Sequence, residues 1–209
     1  MRRLAILGAS GHGKVLADIA ESCGWTQIAF FDDAWPSRQT NGHWAIVGDT
    51  AVLMGLLSDF DGVAIGIGNN RIRQSKWQQL ATAGAPIVSL VHPQAVISRH
   101  SVIGEGSVVM AGVVVNADTR IGRGAILNTS CSVDHDNLVG DFVHLSPGAR
   151  LAGGVTIGDL SWIGMGACIR QMIHVGSNVV IGAGAVVLKP VADGVTAVGM
   201  PAHPLERTN

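Results

Sequence analysis

Asp134-His135-Asp136, with His144 nine residues further on, interrupts a stretch otherwise made of Gly, Val, Ile and other small residues. A neutral imidazole, with an unperturbed pKa near about 6.5, can take a proton from an attacking group at physiological pH. A neighbouring carboxylate can hold the other ring nitrogen and stabilise the imidazolium. The pattern suits general-base catalysis, typically worth about 10²–10⁴ in rate. Either Asp134 or Asp136 could be the orienting acid. A second cluster lies near the start of the chain. "GASGHGKV", residues 8–15, follows an apolar run and opens a helical pattern, which aims backbone N–H groups and the positive end of a helix at an anion. Its glycines, Gly8, Gly11 and Gly13, lack the GxGxxG spacing, so a dinucleotide fingerprint is met only in part. Asp32 and Asp33 close the next apolar run, where an acid can accept hydrogen bonds from ribose hydroxyls or a base.

Two kinds of element must position these residues. From Leu4 to about Leu90, short apolar runs alternate with helical patterns: "LAILG", "IAFFDD", "WAIVGD", "GVAIGIGNN" and "PIVSLV" read as strands. "HGKVLADIAESCG", with Val15, Leu16, Ile19 and Cys23 on one side, reads as a helix, as do "TAVLMGLLSD" and "RIRQSKWQQLATAG". Such alternation predicts a small parallel sheet covered by helices. From Val91 to Val187 every sixth residue is Val, Ile or Leu without exception, and Gly104, Gly122, Gly140, Gly158 and Gly176 recur every eighteen. Three hexads therefore make one coil of a parallel β-helix shaped as a triangular prism, stable through stacking of coil on coil. The predicted organisation is an α/β domain at 1–90, a β-helix at 91–192 and a C-terminal cap at 193–209. His144 lies half a coil from His135, so the two should face away from each other within one prism.

Composition narrows the partners. The 209 residues carry a formal net charge of −1 with 14% charged residues, so neither a nucleic-acid stripe nor a polybasic membrane patch is indicated. A small molecule is the expected ligand. Arg2-Arg3 precede only the short run "LAIL", which does not make a signal peptide. "MIHVGSNVVIGAGAVVL" holds too many polar and glycine residues for a membrane span. Cys23, Cys131 and Cys168 are odd in number and widely spaced, which fits free thiols in a cytoplasmic protein.

The hexads "IGEGSV", "IGRGAI", "IGMGAC" and "IGAGAV" resemble the left-handed β-helix of the hexapeptide-repeat acyltransferases. The left hand is implied by that resemblance and not by the spacing. The order "GASGHGKV", "FFDD", "GIGNNRIR" and then the hexads is similar to the bacterial nucleotide-sugar N-acetyltransferases of glycan biosynthesis. Among them it looks most like those acting on UDP-4-amino sugars in bacillosamine synthesis, with relatives that acetylate GDP-perosamine or sialic acid. The resemblance implies an acetyl-CoA-dependent enzyme without a metal, working as a homotrimer with sites between subunits. It implies His135 as base and Asp136 as its acid, with Asp134 a competing orienter. It implies nucleotide-sugar contacts at Ser10, Gly11, His12, Asp32, Asp33, Gly68, Asn69 and Asn70, and Asn128 near the sugar amine. Asn69-Asn70 would equally serve as a plain turn and helix cap. On the acetyl-CoA side it implies His144, the N–H of Gly153 as a donor to the thioester oxygen, and Met165, Gly182, Ala183 and Lys189 along the cofactor arm. Gly199-Met200-Pro201-Ala202 matches a terminal "G-x-P-A".

Two rival readings differ in kind. Zinc carbonic anhydrases share the left-handed prism but use three histidines across a subunit interface, and no histidine pair here has a close H-x₄-H spacing. A non-catalytic nucleotide-sugar scaffold would leave the His135-Asp136 pair without a task.

Overall fold

The computed structural model describes residues 1–205 and divides into two units, Met1–Pro93 and a second that begins at Gln94. The first unit runs β1 (Arg3–Leu7), α1 (Gly11–Ser22), β2 (Gln27–Phe31), β3 (Thr40–Asn41), β4 (Trp44–Gly48), α2 (Thr50–Gly55), β5 (Gly62–Ile65) and α3 (Asn70–Thr82). Its strands stand in the order β3-β4-β2-β1-β5, and β1 pairs in parallel with both β2 and β5. Leu4, Ala5, Ile6 and Leu7 are all buried, as an apolar run covered on both faces should be. The chain leaves β1 toward β2 on one side while β5 lies on the other. A crevice opens at the carboxyl ends of the strands where such a sheet switches direction.

Three features of this unit differ from the sequence reading. The sheet is not wholly parallel: β3 and β4 form an antiparallel hairpin around Gly42-His43, with Gly42 at φ +69° supplying the tight turn. "PIVSLV" yields only a bridge from Ile87 to Val63 and the short strand Leu90–Val91, for Pro86 has no N–H to continue a ladder. In α1 the buried face is Leu16, Ala17, Ile19 and Ala20, whereas Val15 is exposed.

The second unit is the expected left-handed β-helix, built from two-residue strands joined by corners. Each strand pairs in parallel with the one eighteen residues later. One face stacks Val96–Ile97, Val114–Val115, Ser132–Val133, Arg150–Leu151, Cys168–Ile169 and Val186–Val187. The next stacks Val102–Ile103, Arg120–Ile121, Leu138–Val139, Thr156–Ile157 and His174–Val175. The third carries Val108–Val109, Ile126–Leu127, His144–Leu145, Trp162–Ile163 and Val180–Ile181. Thr196–Val198 adds to this third face and turns back antiparallel onto His203–Pro204, so residues of the predicted tail belong to the stack.

The hexad aliphatics from Val109 to Val187 are buried, Ile97 and Ile103 are half-buried, and Val91 is exposed. The eighteen-residue glycine column has a steric cause. A Cβ on Gly104, Gly122 or Gly158 would stand 2.4–2.6 Å from backbone atoms of the next coil. The coil shortens once: Val175 pairs with Val191, sixteen residues on, which trims the corner containing Lys189. Since Ile157 is buried in the middle of the stack, Ile157→Ala should cost about 2–5 kcal/mol, measured by denaturant unfolding at fixed protein concentration.

Candidate active site

The Asp134–Asp136 corner lies between the face that holds Val133 and the face that holds Leu138. Asp136 adopts φ +58°, a left-handed conformation that Asp tolerates better than most residues. There its Oδ2 lies 2.7 Å from Nδ1 of His135. Asp134 is occupied differently: its Oδ1 accepts from the backbone N–H of His135 at 2.9 Å and from Asn116 Nδ2 at 2.9 Å. The geometry thus separates the two acids. Asp136 touches the ring, and Asp134 braces the backbone beneath it. The Asp136 hydrogen bond, aided by the charges of Asp134 and Asp136, raises the His135 pKa above the ordinary imidazole value. With Nδ1–H donated to Asp136, the lone pair sits on Nε2.

Gly153 stands one coil beyond His135. A Cβ there would lie 2.5 Å from His135 Cε1 and 2.6 Å from Nε2, so only glycine leaves the ring in place. The Gly153 N–H makes no hydrogen bond among the described residues, while its carbonyl accepts from Met172 N at 3.0 Å. His135, Asp136, Gly153, Gly154, Gln171 and Met172 line a cleft of about 490 Å³. Gln171 and Met172 were not singled out from sequence, although adding eighteen twice to His135 and Asp136 reaches both positions.

The residues assigned to acetyl-CoA do not gather in one place. Lys189 occupies the shortened corner after Val187, on the same edge of the prism as His135 and Gly153. Asn128, Gly182, Met165 and Ala183 occupy the other edge of that face, where the chain enters it. His144 lies beside them on the third face, 7% exposed, with Nε2 3.2 Å from Asn128 Nδ2. Its ring stacks on Trp162 with centroids 4.8 Å apart, and Trp162 Nε1 donates to Ser146 Oγ at 2.7 Å. Trp162 and Ser146 carry no catalytic motif, so nothing short of the fold could mark them. One prism therefore holds these residues on two different edges.

In the first unit, Gly13 packs α1 against the turn after β1, since a Cβ on it would meet the Gly8 carbonyl oxygen at 2.3 Å. Ser10 is the N-cap position of α1, and its hydroxyl donates to Gly66 O at 3.3 Å. A cleft of about 200 Å³ opens here at the strand ends, lined by Ser10, Asp32, Asp33, Gly68, Ile72 and Lys76 among others. Asp32 accepts from the N–H of Ala9 at 2.7 Å and of Ala34 at 2.9 Å. Asp33 accepts from Lys76 Nζ at 2.8 Å and from Thr50 Oγ1 at 2.6 Å, which together hold its carboxyl down to about 2. Lys76 was missed from sequence because it sits far along α3.

The rest of that predicted set departs from the cleft. Gly11 and His12 form the first turn of α1, and the His12 imidazole is pushed down to about 4 by burial and by the charge of Arg73. Asn69 caps α3, accepting from Ile72 N at 3.1 Å. Asn70 is 6% exposed and its Oδ1 accepts from Arg73 Nη2 at 2.9 Å, so its side chain supports the loop and does not face a ligand. Buried Arg73 also donates to the carbonyls of Ile67 and Gly68 at 3.1 and 3.0 Å. Among the described residues no cluster of three His, Cys, Asp or Glu could hold a metal ion, and no helix is long and apolar enough to cross a membrane.

Residues 3–80 match the PglD N-terminal domain family. The acetyltransferase domain of PglB from Neisseria gonorrhoeae FA1090, solved in complex with acetyl coenzyme A, is 44% identical. It superposes with a TM-score of 0.94 over 98% of this chain and 99% of that one. PerB from Caulobacter crescentus, in complex with CoA and GDP-perosamine, is 36% identical with a TM-score of 0.94, over 99% and 98% of the two chains. UDP-N-acetylbacillosamine N-acetyltransferase of Bacillus subtilis (strain 168) is 37% identical over 114 residues, 53% of this chain and 52% of that protein. The match thus spans about half the length of that curated relative.

Gly153→Ala should leave the fold intact, as judged by thermal unfolding, yet displace the His135 ring. The change should appear in the His135 imidazole resonances. Unchanged resonances would contradict the packing of ring on glycine described above.

Proposed function

The chain belongs to the nucleotide-sugar acetyltransferase family of the PglB domain and PerB, and on that premise we propose that it acetylates a UDP-linked 4-amino sugar of the N-acetylbacillosamine type, using acetyl-CoA. The observation that carries this reading is the His135–Asp136 pair, with Nε2 turned to a glycine whose N–H is unused. The thioester supplies an activated acetyl group, so no covalent enzyme intermediate is needed. His135 Nε2 removes a proton from the sugar amine as it attacks. In the neutral ring Asp136 holds the proton on Nδ1 and so leaves the lone pair on Nε2, and it stabilises the imidazolium afterwards. The Gly153 N–H donates to the thioester oxygen as charge develops on it.

The split between two edges supports a homotrimer. His135, Gly153 and Lys189 of one copy would complete a site with Asn128, His144, Met165, Gly182 and Ala183 of the next. In the first unit, Ser10, Gly68, Asp32 and Asp33 would recognise the nucleotide, with Lys76 beside them. The free thiols Cys23, Cys131 and Cys168 agree with a cytoplasmic setting. A GDP-linked sugar is the second reading, favoured by the likeness to PerB along nearly the whole chain.

The test is acetyl transfer followed by mass spectrometry with a UDP-4-amino sugar, GDP-perosamine and sialic acid in parallel. Transfer to the UDP sugar is expected, with His135→Ala slower by about 10²–10⁴. Transfer only to another acceptor would replace the substrate, and nucleotide binding without any transfer would favour a scaffold. Because the base works deprotonated, kcat/KM should rise with pH and level off above the raised pKa of His135. In Asp136→Asn the main cause of that rise is gone. The acid limb should then move to lower pH while kcat falls.

A further inference from the structure

Beneath the Asp134–Asp136 corner, inside the prism, lies Asn137. Its side chain is fully buried, and Nδ2 lies 2.7 Å from Asp134 O, 3.1 Å from His135 O and 3.0 Å from Ala152 O. The first two carbonyls flank the His135 α-carbon. The third belongs to the residue before Gly153. His135 O also accepts from the N–H of Gly154 at 2.9 Å. One amide group therefore ties together the backbone that carries His135 and the backbone of the turn its ring rests on.

Structural need does not explain this residue. The same interior column holds Thr119 one coil earlier and Val155 and Ile173 one and two coils later, all buried. An apolar side chain plainly fits. Where the stack uses polar groups at interior corners elsewhere, a hydroxyl suffices. Ser107, Thr119 and Ser161 each reach a single carbonyl of the following coil, at Gly122, Asp134 and Gly176. Asn137 makes that same link, to Ala152, and adds the two carbonyls of its own corner. It does so while its Oδ1 stays buried without a hydrogen-bond partner, which an amide in a protein interior normally has. Leaving an acceptor unmade destabilises the fold, so the residue is kept for what its NH₂ group holds.

We infer that Asn137 is a positioning residue, whose buried amide clamps the carbonyls of Asp134, His135 and Ala152 and so sets the His135 ring against Asp136 and the Gly153 N–H. The inference rests on His135 being the general base. Asn137 touches no reacting atom and acts through backbone alone. The charged groups facing the ring are Asp136 and Asp134, and the Gly153 turn adds none.

The test uses Asn137→Val, which copies Val155, and Asn137→Thr, which copies Thr119 and should keep the link to Ala152. Thermal unfolding, kcat, both KM values and the NMR titration of the His135 imidazole are measured on the full chain. Asn137→Val should fold, lose kcat on the order of 10- to 100-fold through misplacement of the base, and leave both KM values near wild type. The His135 titration should move toward the ordinary imidazole value as its contact with Asp136 loosens. Asn137→Thr should fall between. A titration curve that coincides with wild type in the folded variants overturns the inference, whether or not the rate falls. Should Asn137→Val fail to fold, Asn137→Thr decides by the same curve. Should wild type transfer no acetyl group, the proposed function fails, while the titration still decides the clamp.

Discussion

The eighteen-residue register of the coil is the constraint on which the rest of the second unit depends. Each corner hydrogen-bonds to the corner of the next coil: Gly154 N donates to His135 O at 2.9 Å, and Met172 N donates to Gly153 O at 3.0 Å. Side chains along an edge therefore form fixed columns. A catalytic pair on such a column needs no loop of its own, because its height, direction and neighbours follow from the ladder. That matters for His135 and Asp136, whose side chains are 62% and 65% exposed, the His135 ring resting on the turn at Gly153. Their precision comes from the backbone below, in line with the general need to set functional groups on rigid elements.

The same register explains why one prism cannot be a complete enzyme under the proposed function. A triangular section has its faces turned outward and its edges apart, and a column is confined to one edge. A base and an oxyanion donor can share an edge, as His135 and Gly153 would in the proposed roles, because they are one coil apart. A further polar group on the opposite face, such as His144 stacked on Trp162, points away from them. Copies placed side by side bring unlike edges together, so the trimer of the proposal answers a geometric deficit.

Much of this was legible in the residues, and the failures have physical causes. The sixfold aliphatic spacing predicted the β-helix because inward positions in a coil are read directly as sequence period. Spacing alone left Asp134 and Asp136 equivalent, since their difference lies in the left-handed φ of Asp136 and in the reach of Asn116 to Asp134. Asn70 looked like a ligand contact because an exposed and a buried Asn are the same letter. Arg73, three residues on, is what turns it inward. The signal for Asn137 was present: it carries an amide in a column where Val155 and Ile173 are apolar. It went unread because the aliphatic column two residues away dominates the pattern.

Charge in the first unit follows a different logic from the exposed pair on the prism. Arg73 is 1% exposed and its pKa is lowered to about 9 by burial, so it remains protonated at neutral pH. It spends its donors on the carbonyls of Ile67 and Gly68 and on Asn70, fixing one wall of the cleft. Its charge helps keep the half-buried His12 neutral, so His12 adds no cation at the start of α1. The positive character of that end then comes from the helix N-terminus itself, whose N–H groups would be the donors to a phosphate under the proposed function. On the facing side, Lys76 and Thr50 hold Asp33 ionised and pinned, and two backbone amides pin Asp32. Pinned carboxylates keep lone pairs for hydroxyl donors without swinging toward the phosphates they would repel. A nucleotide in this cleft would therefore be read at two ends of opposite sign, with its phosphates near Ser10 and its ribose near the aspartates.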